Sequence, residues 1–220
     1  MAKAKNGIFG SFSGKVGNIV GSMWKSISTI RKAPKKKTKK EKARKPRTEA
    51  QLAATERFVF VSKWLVPFHE FINVGFLNIA DNQTEINLCH SETMKNAITG
   101  VYQNLGIDYS KVIISKGKLA PLEELTVTLT EPNTVELNWK MSYPGGAKFN
   151  DQLMLAIYCP EFHETEGFIG GITRARQKCS FTFRNRLIGK ELHVYVGVTA
   201  MNRKKIANSV YLGTLKPSVD

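Results

Sequence analysis

From about residue 107 onward the chain changes period, and that change constrains its fold more than any other feature. Asp108 to Ser115 alternates and is rich in Val and Ile. Leu125 to Thr130, Thr134 to Lys140, Gln152 to Cys159, Lys178 to Arg184, Glu191 to Thr199 and Ala207 to Leu215 also read as strands. Turn-forming residues separate these runs: Glu131-Pro132-Asn133, Pro144-Gly145-Gly146, Gly170-Gly171 and Asn202-Arg203-Lys204. Roughly six or seven short strands over about 100 residues, with Trp139 early in the set, predict an antiparallel β-sandwich of immunoglobulin or fibronectin type III kind. The pattern leaves the strand order open.

Ahead of this region the period is helical. Pro46-Arg47-Thr48-Glu49-Ala50-Gln51 reads as a helix start, with Thr48 as cap and Gln51 reaching back. The helix is expected to run to about Val66. Pro67 then ends or kinks it and opens a second helix through about Val74. Leu52, Phe58, Val59, Val61, Leu65, Phe68 and Ile72 supply the apolar face. Ser91 to Thr99 is a third candidate, capped by Ser91 and ended by Gly100. The fold class expected is therefore α+β: a Gly-rich basic N-terminal arm, a short helical segment, then the sandwich.

The charge of +15 is carried almost wholly by the arm. Residues 1 to 49 hold 15 of the 33 Lys and Arg against two of the 18 acids, a net +13. The other 171 residues balance 18 basic against 16 acidic groups, a net +2. Between Arg31 and Arg47, 11 of 17 residues are basic and none is a large apolar residue, which predicts a solvated segment.

Residues 6 to 31 are different in kind. Glycines at 7, 10, 14, 17 and 21 are spaced 3, 4, 3, 4, and apolar residues at 9, 12, 16, 19 and 23 keep the same spacing. As a helix this would set a glycine face against an apolar face. Each interior Gly would then cost about 1 kcal/mol relative to Ala. The extended alternative is favoured, with Val16 to Val20 and Met23 to Ile30 as strands turning near Gly21-Ser22. In either form the piece is too small for a core of its own, so Phe9, Phe12, Val16, Ile19 and Trp24 are expected to dock on protein.

The organisation expected is thus a docking arm at 1–31, a flexible Lys/Arg-rich linker at 32–47, a helical region at 48–106 and a sandwich domain at 107–220. The NGIFGSFSGKVGNIVGSMWK opening, PRTEAQ, KNAITGVY, IDYSKVIISKG, and the closing HVYVGVTA and IANSVYLG together resemble an uncharacterised Bacteroidetes protein family of unknown function. The resemblance covers nearly the whole chain. It implies no activity, cofactor or catalytic residue, and a shorter linker than the Lys-rich stretch at 35 to 45.

Catalytic signatures are weak. Gly10-Ser11-Phe12-Ser13-Gly14-Lys15 falls short of a phosphate loop, because Phe9 stands where Gly is needed and Val16 follows Lys15. His163, Glu164 and Glu166 could be drawn as a metal cluster, but they read better as a loop or hairpin with solvated acids. His193 alternates with Tyr195 on one face of a strand. Cys89, Cys159 and Cys179 have no metal-site spacing and are expected as free thiols. No cofactor, no metal and no enzymatic activity are expected, and no apolar run is long enough to span a membrane.

The basic run carries the functional expectation. Lys35, Lys36, Lys37, Lys39, Lys40, Lys42, Arg44, Lys45 and Arg47 suit a nucleic acid or other polyanion, through counterion release rather than base reading. The protein is read as a non-enzymatic structural or assembly protein, expected to form a homo-oligomer. By analogy at fold level, a phage head–tail or neck component is a concrete version. The alternative is a nucleic-acid-binding accessory protein whose sandwich recruits a partner. The location expected is cytoplasmic, or the virion if phage-encoded.

Overall fold

Two strands near the C-terminal half have no polar face, and this places them at the centre of the fold. In Gln152–Cys159 every residue after the first is buried, and in Leu192–Thr199 all eight are. A strand covered on one side alternates; a strand covered on both does not. The computed structural model describes residues 3–4, 7, 10–25, 27–35, 46–79 and 82–216. The chain divides into two units, Met1–Thr48 and Glu49–Asp220.

In the N-terminal unit, β1 (Lys3–Ala4), β2 (Phe12–Val16), β3 (Ile19–Trp24) and β4 (Ile27–Lys32) form one antiparallel sheet in the order β1-β2-β3-β4. The extended reading of this segment is therefore the right one. Its turns are not where the sequence suggested. Gly21-Ser22 lies inside β3, and the chain reverses at Gly17-Asn18 and at Lys25. Gly17 and Lys25 hold the left-handed backbone that such tight turns require, at φ 55° and 43°.

The larger unit begins with three helices: α1 (Glu49–Trp64), α2 (His69–Gly75) and α3 (Glu85–Asn96). A single 3-10 turn, Val66–Phe68, joins the first two around Pro67. The third helix starts six residues before the expected position. Thr84, not Ser91, caps it, accepting a hydrogen bond from the Asn87 amide at 3.2 Å. Gly100 does not end it but belongs to a hairpin of β5 (Ile98–Val101) and β6 (Asn104–Ile107).

Seven strands follow: β7 (Glu123–Glu131), β8 (Thr134–Lys140), β9 (Gln152–Cys159), β10 (Glu164–Thr173), β11 (Lys178–Thr182), β12 (Leu192–Thr199) and β13 (Val210–Leu215). They form two antiparallel sheets, ordered β10-β9-β12-β13 and β11-β8-β7. Leu155, Ile157, Val194 and Val196 pack with Val135, Leu137 and Trp139 between the sheets. Met154, Ala156, Tyr158 and Tyr195 project from the opposite face of the first sheet into a second core, with Val61, Trp64, Leu65, Phe68 and Ile72 of the helical segment. The unit is thus an antiparallel β-sandwich with a helical layer on one outer face.

Two local expectations fail here. Asp108 to Ser115 is not a strand, because Asp108 accepts bonds from the Ser110 amide and hydroxyl and winds Tyr109–Lys111 into a 3-10 turn. Val112 and Ile114 are still buried, so the alternation was real without a ladder. Gly170-Gly171 is not a turn either. Both glycines lie within β10, at φ 88° and 86°, where its register against β9 shifts between Ile169 and Thr173.

One buried ion pair ties the loops at one end of the sandwich. Arg174 is fully buried, and its Nε lies 3.4 Å from the Asp151 carboxylate. Its guanidinium also donates to the carbonyls of Ala120, Pro121 and Ser142. The Asp151 carboxylate accepts from the Lys148 amide at 2.8 Å, and the Arg174 carbonyl accepts from the Trp139 indole at 2.8 Å.

Candidate docking interface

Paired residues in an antiparallel sheet lie on one side of it, so the N-terminal register assigns each side chain to a face. Val16 is opposite Ile19, and Gly14 is opposite Gly21, which is opposite Ile30. Alternation then places Phe12, Val16, Ile19, Met23 and Ile30 on one face, with Ser28 and Lys32 on its β4 edge. The other face carries Ser13, Lys15, Val20, Ser22, Trp24, Ile27, Thr29 and Arg31.

The first face is apolar and open. Val16 is 52% exposed, Met23 46% and Ile30 63%. Its one buried residue is Gly21, and the cause is Phe12. A Cβ at Gly21 would come within 2.7 Å of the Phe12 ring, so the glycine makes room for an aromatic lid. The opposite face is more polar and basic, with Val20, Trp24 and Ile27 among its residues. Ser22 and Thr29 hydroxyls meet at 2.7 Å, and the Lys25 ammonium stands 5.5 Å from the Trp24 ring centroid. The outer edge strand β4 ends in Arg31 and Lys32, charges that discourage uncontrolled edge pairing.

Of the docking residues expected, Phe12, Val16 and Ile19 are brought together. Trp24 is on the opposite face, and Phe9 lies outside the described residues. Met23 and Ile30 complete the apolar face and were missed. Of the polyanion set, Lys35 and Arg47 are exposed, while Lys36, Lys37, Lys39, Lys40, Lys42, Arg44 and Lys45 lie outside the described residues.

The His and Glu residues weighed for catalysis have structural partners. Glu164 pairs with Arg186, and Glu166 lies 3.3 Å from Arg184. Of the loop and hairpin expected here the structure has the hairpin: Glu164 and Glu166 open β10, and Glu164 pairs with Cys159 of β9. His163 is bracketed by the Tyr158 hydroxyl and the Lys63 carbonyl, each at 3.0 Å. His193 stacks on Tyr109 with ring centroids 3.8 Å apart, and Tyr195 on the same sheet face donates to the Tyr109 carbonyl at 2.9 Å. Burial lowers the His193 pKa from its ordinary value. All three cysteines are free and buried, and burial pushes the Cys89 thiol up to about 12. Among the described residues no group of three or more His, Cys, Asp or Glu is placed to hold a metal, and no helix is long and apolar enough to cross a membrane.

Solved structures similar to this chain include fibronectin type III domains. The fn3 domain of human collagen alpha-1(XX) is 12% identical with a TM-score of 0.35, over 46% of this chain and 88% of that one. The FN1–FN3 domains of chicken CNTN1 give 5% and 0.38, over 48% and 34%. The FN5 domain of Drosophila Lar gives 13% and 0.32, over 45% and 96%. No curated protein matches the sequence. A family model does match it, over residues 11–213, from within the N-terminal sheet to the last strand: the chain belongs to DUF6266, a family of unknown function.

Proposed function

We propose that this is a non-enzymatic assembly protein that docks onto a second copy of itself through its N-terminal sheet and meets a polyanion through its Lys-rich run. The observation that carries the reading is the open apolar face of Phe12, Val16, Ile19, Met23 and Ile30. A sheet with one apolar face needs a cover, and a second such sheet stacking about 10 Å away supplies one. Phe12 and Gly21 fix the shape of this face, so it is preformed.

Charge ties the two halves of the proposal together. Residues 1 to 49 carry a net +13, so two arms brought face to face repel. A bound polyanion removes that repulsion, which makes assembly dependent on it. A head–tail or neck component of a virion is the concrete form of this reading. An accessory protein that grips nucleic acid as a monomer is the alternative.

Size-exclusion chromatography with light scattering, with and without a short DNA duplex, tests the docking. The full chain is expected to run as an oligomer with DNA, and the double variant Ile19→Gln/Ile30→Gln as a monomer. A full chain that stays monomeric under both conditions sinks the assembly reading and leaves the accessory one. The polyanion half is read separately, from DNA affinity against salt. Affinity is expected to fall steeply as salt rises, and to be lost when residues 32–46 are deleted. A flat salt response overturns that half alone.

A further inference from the structure

We propose that the loop end of the larger unit takes a phosphate-bearing anion in two adjoining clefts that share Lys204 and Lys205, with Lys118 in one, Lys148 in the other and Arg203 beside them. Three loops meet there, at 116–119, 144–151 and 200–206. They wall two clefts of about 660 and about 390 Å³, and Lys204 and Lys205 line both. Lys118 lines the larger beside the apolar Leu77, Ile79 and Ile206, and Lys148 lines the smaller. Arg203 borders the adjoining recess with Met201. The larger volume falls within the range of about 300–1,000 Å³ usual for small-ligand sites.

Among the described residues the cations at this end have no carboxylate partner, and elsewhere on the unit most do. Lys140, Lys178, Arg184, Arg186 and Lys190 each sit on a carboxylate. The five cations of the loop end have no such partner among the described residues. Lys116, which also lines the larger cleft, is held by Glu92 at 2.8 Å. Among the described residues the one acid lining either cleft is Asp151, which is 1% exposed and committed to Arg174.

The backbone beneath these cations is fixed. The Gly117 amide donates to Asn208 Oδ1 at 2.9 Å, and the Leu119 amide to the Ile206 carbonyl at 2.9 Å. The lysine turn is closed by Ala200 N–H to the Lys205 carbonyl at 2.8 Å and Lys204 N–H to Asn202 Oδ1 at 3.0 Å. Asn78 Nδ2 holds the Arg203 carbonyl at 2.8 Å. These cations thus stand on a fixed backbone with no carboxylate partner among the described residues. A phosphoryl group brings about −1.5 to −2 charge and three acceptor oxygens, more than one carboxylate can offer. Lysines suit it as mobile point charges. The phosphate can belong to a free phosphate ester or to a nucleic-acid backbone.

The test is amide NMR on the full chain, titrated with tripolyphosphate and separately with a single-stranded DNA oligonucleotide. Saturable shifts of the Gly117 and Asn208 amides are expected. The Lys118→Ala/Lys204→Ala/Lys205→Ala variant is expected to bind at least about tenfold more weakly by the same signals, since three of the five charges are removed. Shifts with tripolyphosphate assign the site to a free phosphate ester. Shifts with the oligonucleotide alone assign it to a nucleic-acid backbone. No shift at either amide, or unchanged binding in the triple variant, overturns the proposal. The same titration on the chain lacking residues 32–46 reads the cleft apart from the arm.

Discussion

Arg174→Met is expected to destabilise the larger unit by about 3–5 kcal/mol, measured by urea unfolding. The variant nearly conserves volume, so packing is a minor part of the loss. The major part is electrostatic. Asp151 is 1% exposed and would be left without the guanidinium 3.4 Å away. The carbonyls of Ala120, Pro121 and Ser142 would also lose their donors. Adding Asp151→Asn to the first change is expected to recover part of the loss, because the stranded carboxylate is gone while the three carbonyls stay unmet. The loop segments 118–122 and 141–151 are expected to exchange their amide protons faster in both variants. A cost below about 1 kcal/mol, the range of exposed pairs, would show that Arg174 does not hold the loop end together.

The sequence foretold the sandwich where strands keep to local rules. Thr134–Lys140 and Gln152–Cys159 fall on the expected boundaries, because polar turns punctuate them on both sides. Glu164–Thr173 was missed because three glycines and two acids lower its strand propensity, and pairing with β9 overrides that preference. The helical layer was legible as helices. Its seat on the sheet was written in QLMLAIYC and LHVYVGVT, two runs without a polar face, which the sandwich alone does not require.

The N-terminal face was half legible. A spacing of 4 keeps two residues on the same side of a strand, as with Phe12 and Val16, or Ile19 and Met23. A spacing of 3 across a two-residue turn joins partners directly opposite, as with Val16 and Ile19 at Gly17-Asn18. The 4, 3, 4 rhythm that mimics a helix is therefore also that of a hairpin with one apolar face. Ile30 is outside the rhythm, because its place depends on the second turn at Lys25. The basic loop end was not legible at all. Lys118, Lys148 and Lys204 are far apart in sequence, and only the loops of the fold bring them to one end.

Phe68→Ala is expected to cost about 3–5 kcal/mol and to loosen the helical layer while the two sheets remain paired. Phe68 sits where the chain leaves α1 for α2, and it is fully buried. Its ring lies 4.9 Å from those of Trp64 and Tyr158, and 5.9 Å from Tyr195 at 90°. It thus links a helix residue to residues of both central strands. Truncation would remove these contacts and leave a cavity walled by rings that cannot collapse into it, because Tyr195 is held by its bond to the Tyr109 carbonyl and Tyr158 by His163. The measurement is paired: urea unfolding for the total cost, and near-ultraviolet circular dichroism for the packing of Trp64 and the tyrosines. A loss of the aromatic signal with far-ultraviolet strand signal retained is the expected result. If both signals fail together at one midpoint in the variant, the helices and the sandwich are a single cooperative core, and the idea of a separable helical layer is wrong.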